Sequence, residues 1–135
     1  MVIAQGDVWW ADLADPVGSA PGFRRPVIIV QCDAFNRSRL ATAVCVPLTS
    51  NTAWANAPGN VLLSRRSTGL SKPSVANISQ ILTLDRDALT EHTGKLAAAK
   101  LALVLAGIDP GALERRERTG RLPLVNLELC GSVHS

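Results

Sequence analysis

Two adjacent arginines, Arg24 and Arg25, stand directly before an apolar, β-branched run that begins at Pro26. A guanidinium group is always charged and binds phosphate through a two-pronged pair of hydrogen bonds. Proline restricts the backbone immediately after Arg25, and residues 26–31 have the composition of a buried strand. A cation at the mouth of such a strand is held in one place. The pair therefore indicates a protein that handles phosphate.

A second polar cluster, Thr49-Ser50-Asn51, follows another apolar run at residues 42–48. Hydroxyl and amide side chains can bind phosphate oxygens or the edges of bases. The same residue types also cap the turn after a strand, and taken alone they favour that structural role.

Three tryptophans are candidates for contacts with nucleobases. Trp54 lies in a polar loop, where an aromatic ring can stack on an unpaired base; the alternative is packing over the end of the domain. Trp9 and Trp10 are neighbours on a predicted strand and must face opposite sides. One is expected in the core, and the other at an interface with a second protein chain or with a nucleic acid.

The composition is compatible with a polyanionic partner. The chain has 135 residues, enough for one domain with its own core, and a net charge of +3 with a pI near 9.1. The segment between residues 22 and 39 contains four arginines and one aspartate, a local excess of three positive charges.

Several classes of site are disfavoured. The three cysteines are odd in number, far apart and without metal-ligand spacing, which argues against a disulfide framework or a zinc site and suits a reducing cytosol. His92 and His134 are the only histidines, and both are expected at the surface. We expect no signal peptide, because Asp7 and Asp12 interrupt the first apolar run, and no membrane span, because the apolar segment at residues 97–108 is too short.

The elements that must position these residues are short strands followed by one helix. This order implies a small antiparallel barrel with helical additions. After Pro110 the chain changes to a charged run and then a strand-like stretch, so we expect a domain over residues 1–109 and an atypical, flexible extension over residues 110–135. The predicted elements are strands at 6–12, 26–31, 42–48 and 61–63, one or two strands within 74–84, a helical turn at 85–89 and a helix at 96–108.

Seven short motifs occur in order between residues 2 and 108. They are GDVWWADL at 6–13, GS at 18–19, RPVIIVQ at 25–31, VPLTS at 46–50, NVLL at 60–63, NISQI at 77–81 and TLD at 83–85. Their order and spacing resemble the MazF/PemK toxin family. The resemblance implies a mostly β fold, a small SH3-like antiparallel barrel of the CcdB/PemK kind with a C-terminal helix, and a homodimer.

The resemblance also implies a function. The expected protein is the toxin of a type II toxin–antitoxin system, a cytoplasmic endoribonuclease that needs neither metal nor cofactor and cuts single-stranded RNA at a short sequence. Its expected partner is an acidic, MazE-like antitoxin, through which the complex binds DNA, and no membrane is involved.

The family places its catalytic pair at the arginine before the proline and at the threonine after the third strand, which are Arg25 and Thr49 here. RNA carries its own nucleophile, the 2′-OH, so the enzyme need only orient it and stabilise charge. Arginine is a poor general base, so charge stabilisation is the expected role of Arg25. The threonine hydroxyl would donate to a developing oxyanion, and the products would be a 2′,3′-cyclic phosphate and a 5′-OH. Residues expected to contact RNA are Ser19, Arg24, Asn36, Ser50, Asn51, Trp54 and Gln80.

Two other functions are compatible with the residues. One is a CcdB-like barrel toxin that binds a protein target such as DNA gyrase. The other is a non-catalytic RNA-binding module, which would retain RNA in a salt-dependent way without cleaving it.

Overall fold

The computed structural model describes residues 2–13 and 23–109. The predicted extension at 110–135 lies outside the described residues. Within them the chain forms seven strands, three α-helices and three short 3-10 turns. The strands are β1 (Asp7–Leu13), β2 (Phe23–Ile29), β3 (Thr42–Thr49), β4 (Val61–Leu63), β5 (Ser74–Ala76), β6 (Leu82–Asp85) and β7 (Leu89–Lys95). The helices are α1 (Asp33–Asn36), α2 (Arg65–Thr68) and α3 (Ala98–Ile108), and the 3-10 turns are Thr52–Asn56, Ile78–Gln80 and Arg86–Ala88.

The strands form one curled antiparallel sheet in the order β4-β5-β3-β2-β1-β7, and β6 also pairs with β3. Curling gives the sheet two apolar surfaces. The larger core contains Val8, Ile28, Val46, Leu48 and Val104, and α3 packs on it. The smaller core contains Val27, Ile29 and Cys45, with Trp9 packed against its edge. The predicted mostly β architecture with a C-terminal helix is confirmed.

β3 is the strand that organises the site. It pairs with β2 from Val27↔Pro47 to Ile29↔Cys45 and then turns to β5 through Leu48↔Ala76 and Thr49↔Val75. Pro47 has no amide hydrogen to donate to the ladder between β2 and β3. Its carbonyl accepts a hydrogen bond from the Asn77 amide at 3.0 Å. The two strands therefore separate just where the sequence places its candidate catalytic residues.

The turn after α2 depends on a glycine. Gly69 ends α2 in the left-handed conformation with a φ of 77°. A side chain there would also collide with the carbonyl of Thr93 on β7. Glycine satisfies both demands, and it lets the chain turn back toward β5 through residues 70–73.

Two expectations need correction. β7 was not predicted, because its sequence LTEHTGK is polar and most of its residues are exposed; it forms by pairing with the edge of β1. The strand predicted to reach Gln31 ends at Ile29, and the buried Gln31 side chain donates to Asn36 Oδ1 instead.

No helix in the described ranges has both the length and the apolar character needed to cross a bilayer. The longest of them, α3, has 11 residues.

Candidate active site

A cleft of about 400 Å³ opens where β2 and β3 separate. The strands β1 and β2 form one wall, the end of β3 forms the floor, and the segment between α2 and β5 forms the opposite wall. The lining residues are Trp10, Arg24, Arg25 and Pro26 on the first wall, Leu48, Thr49 and Ser50 on the floor, and Leu70, Ser71, Lys72 and Ser74 on the second wall. The structure thus brings together four of the predicted catalytic and RNA-binding residues, Arg24, Arg25, Thr49 and Ser50, and places Trp10 beside them.

Arg25 has an incompletely satisfied guanidinium. Nη1 donates to the Leu48 carbonyl at 3.4 Å, which is near the outer limit for a hydrogen bond. Nε is buried and has no hydrogen-bond partner among the described residues. A buried donor without a partner costs free energy, and a bound anionic oxygen would satisfy it. Arg25 is therefore suited to accept a phosphate group.

Thr49 lies at the end of β3, half-buried in the floor of the cleft. Its Oγ1 accepts the backbone amide of Asn51 at 3.2 Å. A hydroxyl has one hydrogen and two lone pairs, so this contact leaves the hydrogen available to donate. The threonine can thus serve the turn and also present a donor to a ligand.

Arg24 is engaged by its neighbours. Its Nη2 donates to Glu91 Oε2 on β7 at 3.2 Å, and its guanidinium carbon lies 4.4 Å from the centre of the Trp10 ring. This contact is a cation–π interaction. It also shows that Trp10, of the two adjacent tryptophans, faces the cleft, while Trp9 packs against the smaller core.

The second wall was missed by the sequence interpretation. Residues 65–73 were expected only to form a turn, yet this segment presents Ser71 and Lys72 to the cleft. The available signal was the sequence Ser71-Lys72-Pro73 after Gly69, a cation held between two turn-forming residues. Only the pairing of β5 with β3 brings that segment opposite Arg25.

Four of the predicted RNA contacts in the described residues lie outside the cleft lining: Asn51, Trp54, Gln80 and Asn36. Asn51 caps the turn Thr52–Asn56, its Oδ1 accepting the Ala53 amide at 3.2 Å. Trp54 on that turn is half exposed, with a relative exposure of 50%. Gln80 Oε1 accepts from Asn77 Nδ2 at 3.0 Å. Trp54 remains accessible to a longer ligand that extends beyond the cleft.

Asn36 is buried and has a structural role. Its amide donates to the Gln31 carbonyl at 2.8 Å and to Asp33 Oδ1 at 3.1 Å. The backbone carbonyl of Asn36 accepts a hydrogen bond from Arg86 Nη1 at 2.8 Å. These bonds hold the C-terminal end of α1, and Asn36 is not among the residues that line the cleft. Ser19, also predicted to contact RNA, lies outside the described residues.

The described part of the chain contains no group of three or more His, Cys, Asp or Glu residues placed to hold a metal ion. His92 lies on β7, where Nε2 is 3.5 Å from Asp7 Oδ1 and the ring is 5.2 Å from that of Trp9. Cys45 is a free, buried thiol, and burial raises its pKa to about 12. Neither residue is among those lining the cleft.

Taken together, the cleft offers a guanidinium whose buried Nε is an unused donor and a hydroxyl with an available hydrogen. These groups stabilise negative charge on a bound oxyanion. A proton acceptor with ordinary basicity is not found among the residues that line it. The arrangement fits a substrate that brings its own nucleophile.

Comparison with known proteins identifies relatives over most of the chain. Residues 4–110 match the family described as "PemK-like, MazF-like toxin of type II toxin-antitoxin system". "Endoribonuclease MazF2" of Mycobacterium bovis is 44% identical over 108 residues, 80% of this chain and 95% of that protein. "Endoribonuclease EndoA" of Bacillus subtilis is 36% identical over 91 residues, 67% and 78% of the two chains.

Solved structures give the same relation. The crystal structure of MazF from Deinococcus radiodurans superposes with a TM-score of 0.67 at 25% identity, covering 85% of this chain and 98% of that one. A mycobacterial endoribonuclease in complex with its cognate antitoxin superposes with a TM-score of 0.60 at 26% identity, covering 81% and 91%.

Proposed function

The chain belongs to the PemK-like, MazF-like toxin family, and from this premise we propose that it is an endoribonuclease toxin that cleaves single-stranded RNA without a metal ion. The family and the endoribonuclease activity follow from the relatives. The cleavage chemistry is our proposal. The observation that carries it is the buried, unpartnered Nε of Arg25 in the same cleft as the Thr49 hydroxyl.

In the proposed reaction the 2′-OH of the substrate attacks the adjacent phosphorus. The bond from phosphorus to the 5′-oxygen breaks, the proton of the 2′-OH passes to solvent, and the departing 5′-oxygen takes a proton from solvent. The products are a 2′,3′-cyclic phosphate and a 5′-OH. Negative charge grows on the non-bridging oxygens as the phosphorane forms. Arg25 donates to these oxygens through Nε and its free Nη hydrogens, which stabilises the transition state more than the ground state.

Thr49 complements this role from the floor of the cleft. Its hydroxyl donates to a second developing oxyanion while its oxygen continues to accept from the Asn51 amide. The threonine is positioned before the substrate arrives because β3 and the following turn hold it. One such preorganised donor contributes roughly 10²–10³-fold to the rate.

The partners belong to the same proposal. We propose a homodimer in the cytoplasm, inhibited by an acidic antitoxin. The mycobacterial and Deinococcus relatives have been solved with their antitoxins, which supports a partner of this kind. The mildly basic net charge of +3 is complementary to an acidic protein. Size-exclusion chromatography with light scattering tests the dimer directly.

The test of the function is cleavage of a mixed single-stranded RNA by purified protein in excess EDTA. We expect discrete cuts, with 5′-OH ends and cyclic phosphates identified by end-specific ligation. Arg25→Ala, purified in parallel, should leave the RNA intact. Cleavage that stops in EDTA and returns with added magnesium would refute metal independence. Intact RNA with gyrase inhibition would favour a CcdB-like toxin, and salt-dependent RNA retention without cleavage would favour a binding module.

A further inference from the structure

The three cationic side chains that line the cleft differ in the partners that they already contact. Arg25 is half-buried, and its buried Nε is an unused donor. Arg24 is paired with Glu91 at 3.2 Å and stacked on Trp10 at 4.4 Å. Lys72 is exposed, and its ammonium has no hydrogen-bond or ion-pair partner among the described residues. The sequence singled out Arg24, because it adjoins Arg25, and did not single out Lys72.

The position of Lys72 is well supported. Gly69 begins the turn that leads to it, and Pro73 follows it directly. The Lys72 carbonyl accepts from Ser74 Oγ at 3.3 Å, and Ser74 is buried at the start of β5. The backbone that carries the ammonium is therefore anchored, while the side chain itself remains free to reach a ligand.

We infer that Lys72, and not Arg24, is the second phosphate-binding cation of the cleft, and that it holds a phosphodiester next to the one that is cleaved. A phosphate that binds Arg24 must compete with Glu91, whose carboxylate would also repel it. A phosphate at Lys72 displaces only water. An ammonium is a point charge without the planar fork of guanidinium, so it suits binding of the chain more than orientation of the reacting group. The inference rests on the proposed cleavage of RNA.

The test measures the salt dependence of binding. The probe is a single-stranded oligonucleotide that the wild type cuts, methylated at every 2′-oxygen so that it cannot react. Each neutralised phosphate contributes a slope of about −0.7 to log affinity against log salt for single strands. Lys72→Ala should lose about 0.7 of slope, so that raising the salt fourfold weakens the wild type about 2.6-fold more than the variant.

Three controls accompany this variant. Lys95→Ala removes the same charge from an exposed lysine outside the cleft lining and should bind like the wild type at every salt concentration. Lys72→Arg should retain the wild-type slope. Arg24→Ala should change the slope by less than half as much as Lys72→Ala. With cleavable RNA, Lys72→Ala should raise KM about threefold or more with kcat within twofold of wild type, because a uniform binding contact is lost.

The outcomes separate the two proposals. If the wild type cleaves RNA and Lys72→Ala retains the wild-type slope, the inference is wrong and the proposed function stands. If Arg24→Ala loses the larger share of the slope, the ranking of the two cations is wrong. If the wild type neither cleaves nor binds RNA, both proposals fail.

Discussion

Replacing Arg25 by methionine should slow RNA cleavage strongly and leave the fold as stable as before, or more stable. Methionine fills a similar volume but has no donor. The variant should cleave RNA roughly 10²–10³-fold more slowly, a loss of about 2.7–4 kcal/mol of transition-state stabilisation. Arg25→Lys should not restore activity, since an ammonium lacks the bidentate geometry.

The same contacts of Arg25 set the expected change in the free energy of unfolding. The buried, unpartnered Nε costs the folded state about 1–3 kcal/mol. The bond from Nη1 to the Leu48 carbonyl, at 3.4 Å, is too long to offset much of that cost. Removing both should therefore raise the free energy of unfolding by about 1 kcal/mol, which corresponds to a rise of roughly 4 °C in Tm for a domain of about 110 residues. Active sites commonly carry such a penalty.

Two measurements on one preparation check this reasoning: initial rates of RNA cleavage and thermal unfolding by circular dichroism. Arg66→Met is the matched control, because Arg66 is exposed on α2 and does not line the cleft; it should change the free energy of unfolding by less than about 0.5 kcal/mol. A methionine variant at Arg25 that cleaves like the wild type would show that the guanidinium is not catalytic. One that melts several degrees lower would show that it stabilises the fold.

Thr49→Val should lower kcat by roughly 10²-fold with little change in KM, and Thr49→Ser should retain most activity, because the donated hydrogen bond forms only as charge develops; equal rates for valine and serine would contradict the role. Gly69→Ala should lower the free energy of unfolding by more than about 1 kcal/mol in urea denaturation, since alanine at positive φ is strained and its methyl group meets the Thr93 carbonyl. Cys45 should resist alkylation in the folded protein below pH 9, as its thiol pKa is raised to about 12 from 9.0 by burial. The folded thiol keeps its proton over that interval while the unfolded thiol loses it, so the wild type should lose stability between pH 9 and about 12 more steeply than Cys45→Ala.

Local patterns predicted much of the scaffold. The strands β1, β3 and β4 and the helix α3 follow from apolar runs interrupted by glycine and proline, and the structure confirms them within a residue or two. β7 could not be read in the same way. Its polar residues form a strand only because the edge of β1 supplies hydrogen-bond partners, and that edge is a product of the tertiary fold.

The features of the candidate site also separate into those that local sequence predicts and those that depend on tertiary contacts. The residue types, the proline after Arg25 and the order of motifs that marks the family can all be read from the sequence, because they depend only on neighbours along the chain. Tertiary structure alone decided that Trp10 faces the cleft, that Glu91 engages Arg24 and that Asn36 is buried. It also decided that Lys72 stands on the opposite wall. Each of these depends on which strands pair and where β3 leaves β2, and such contacts join residues far apart in the sequence.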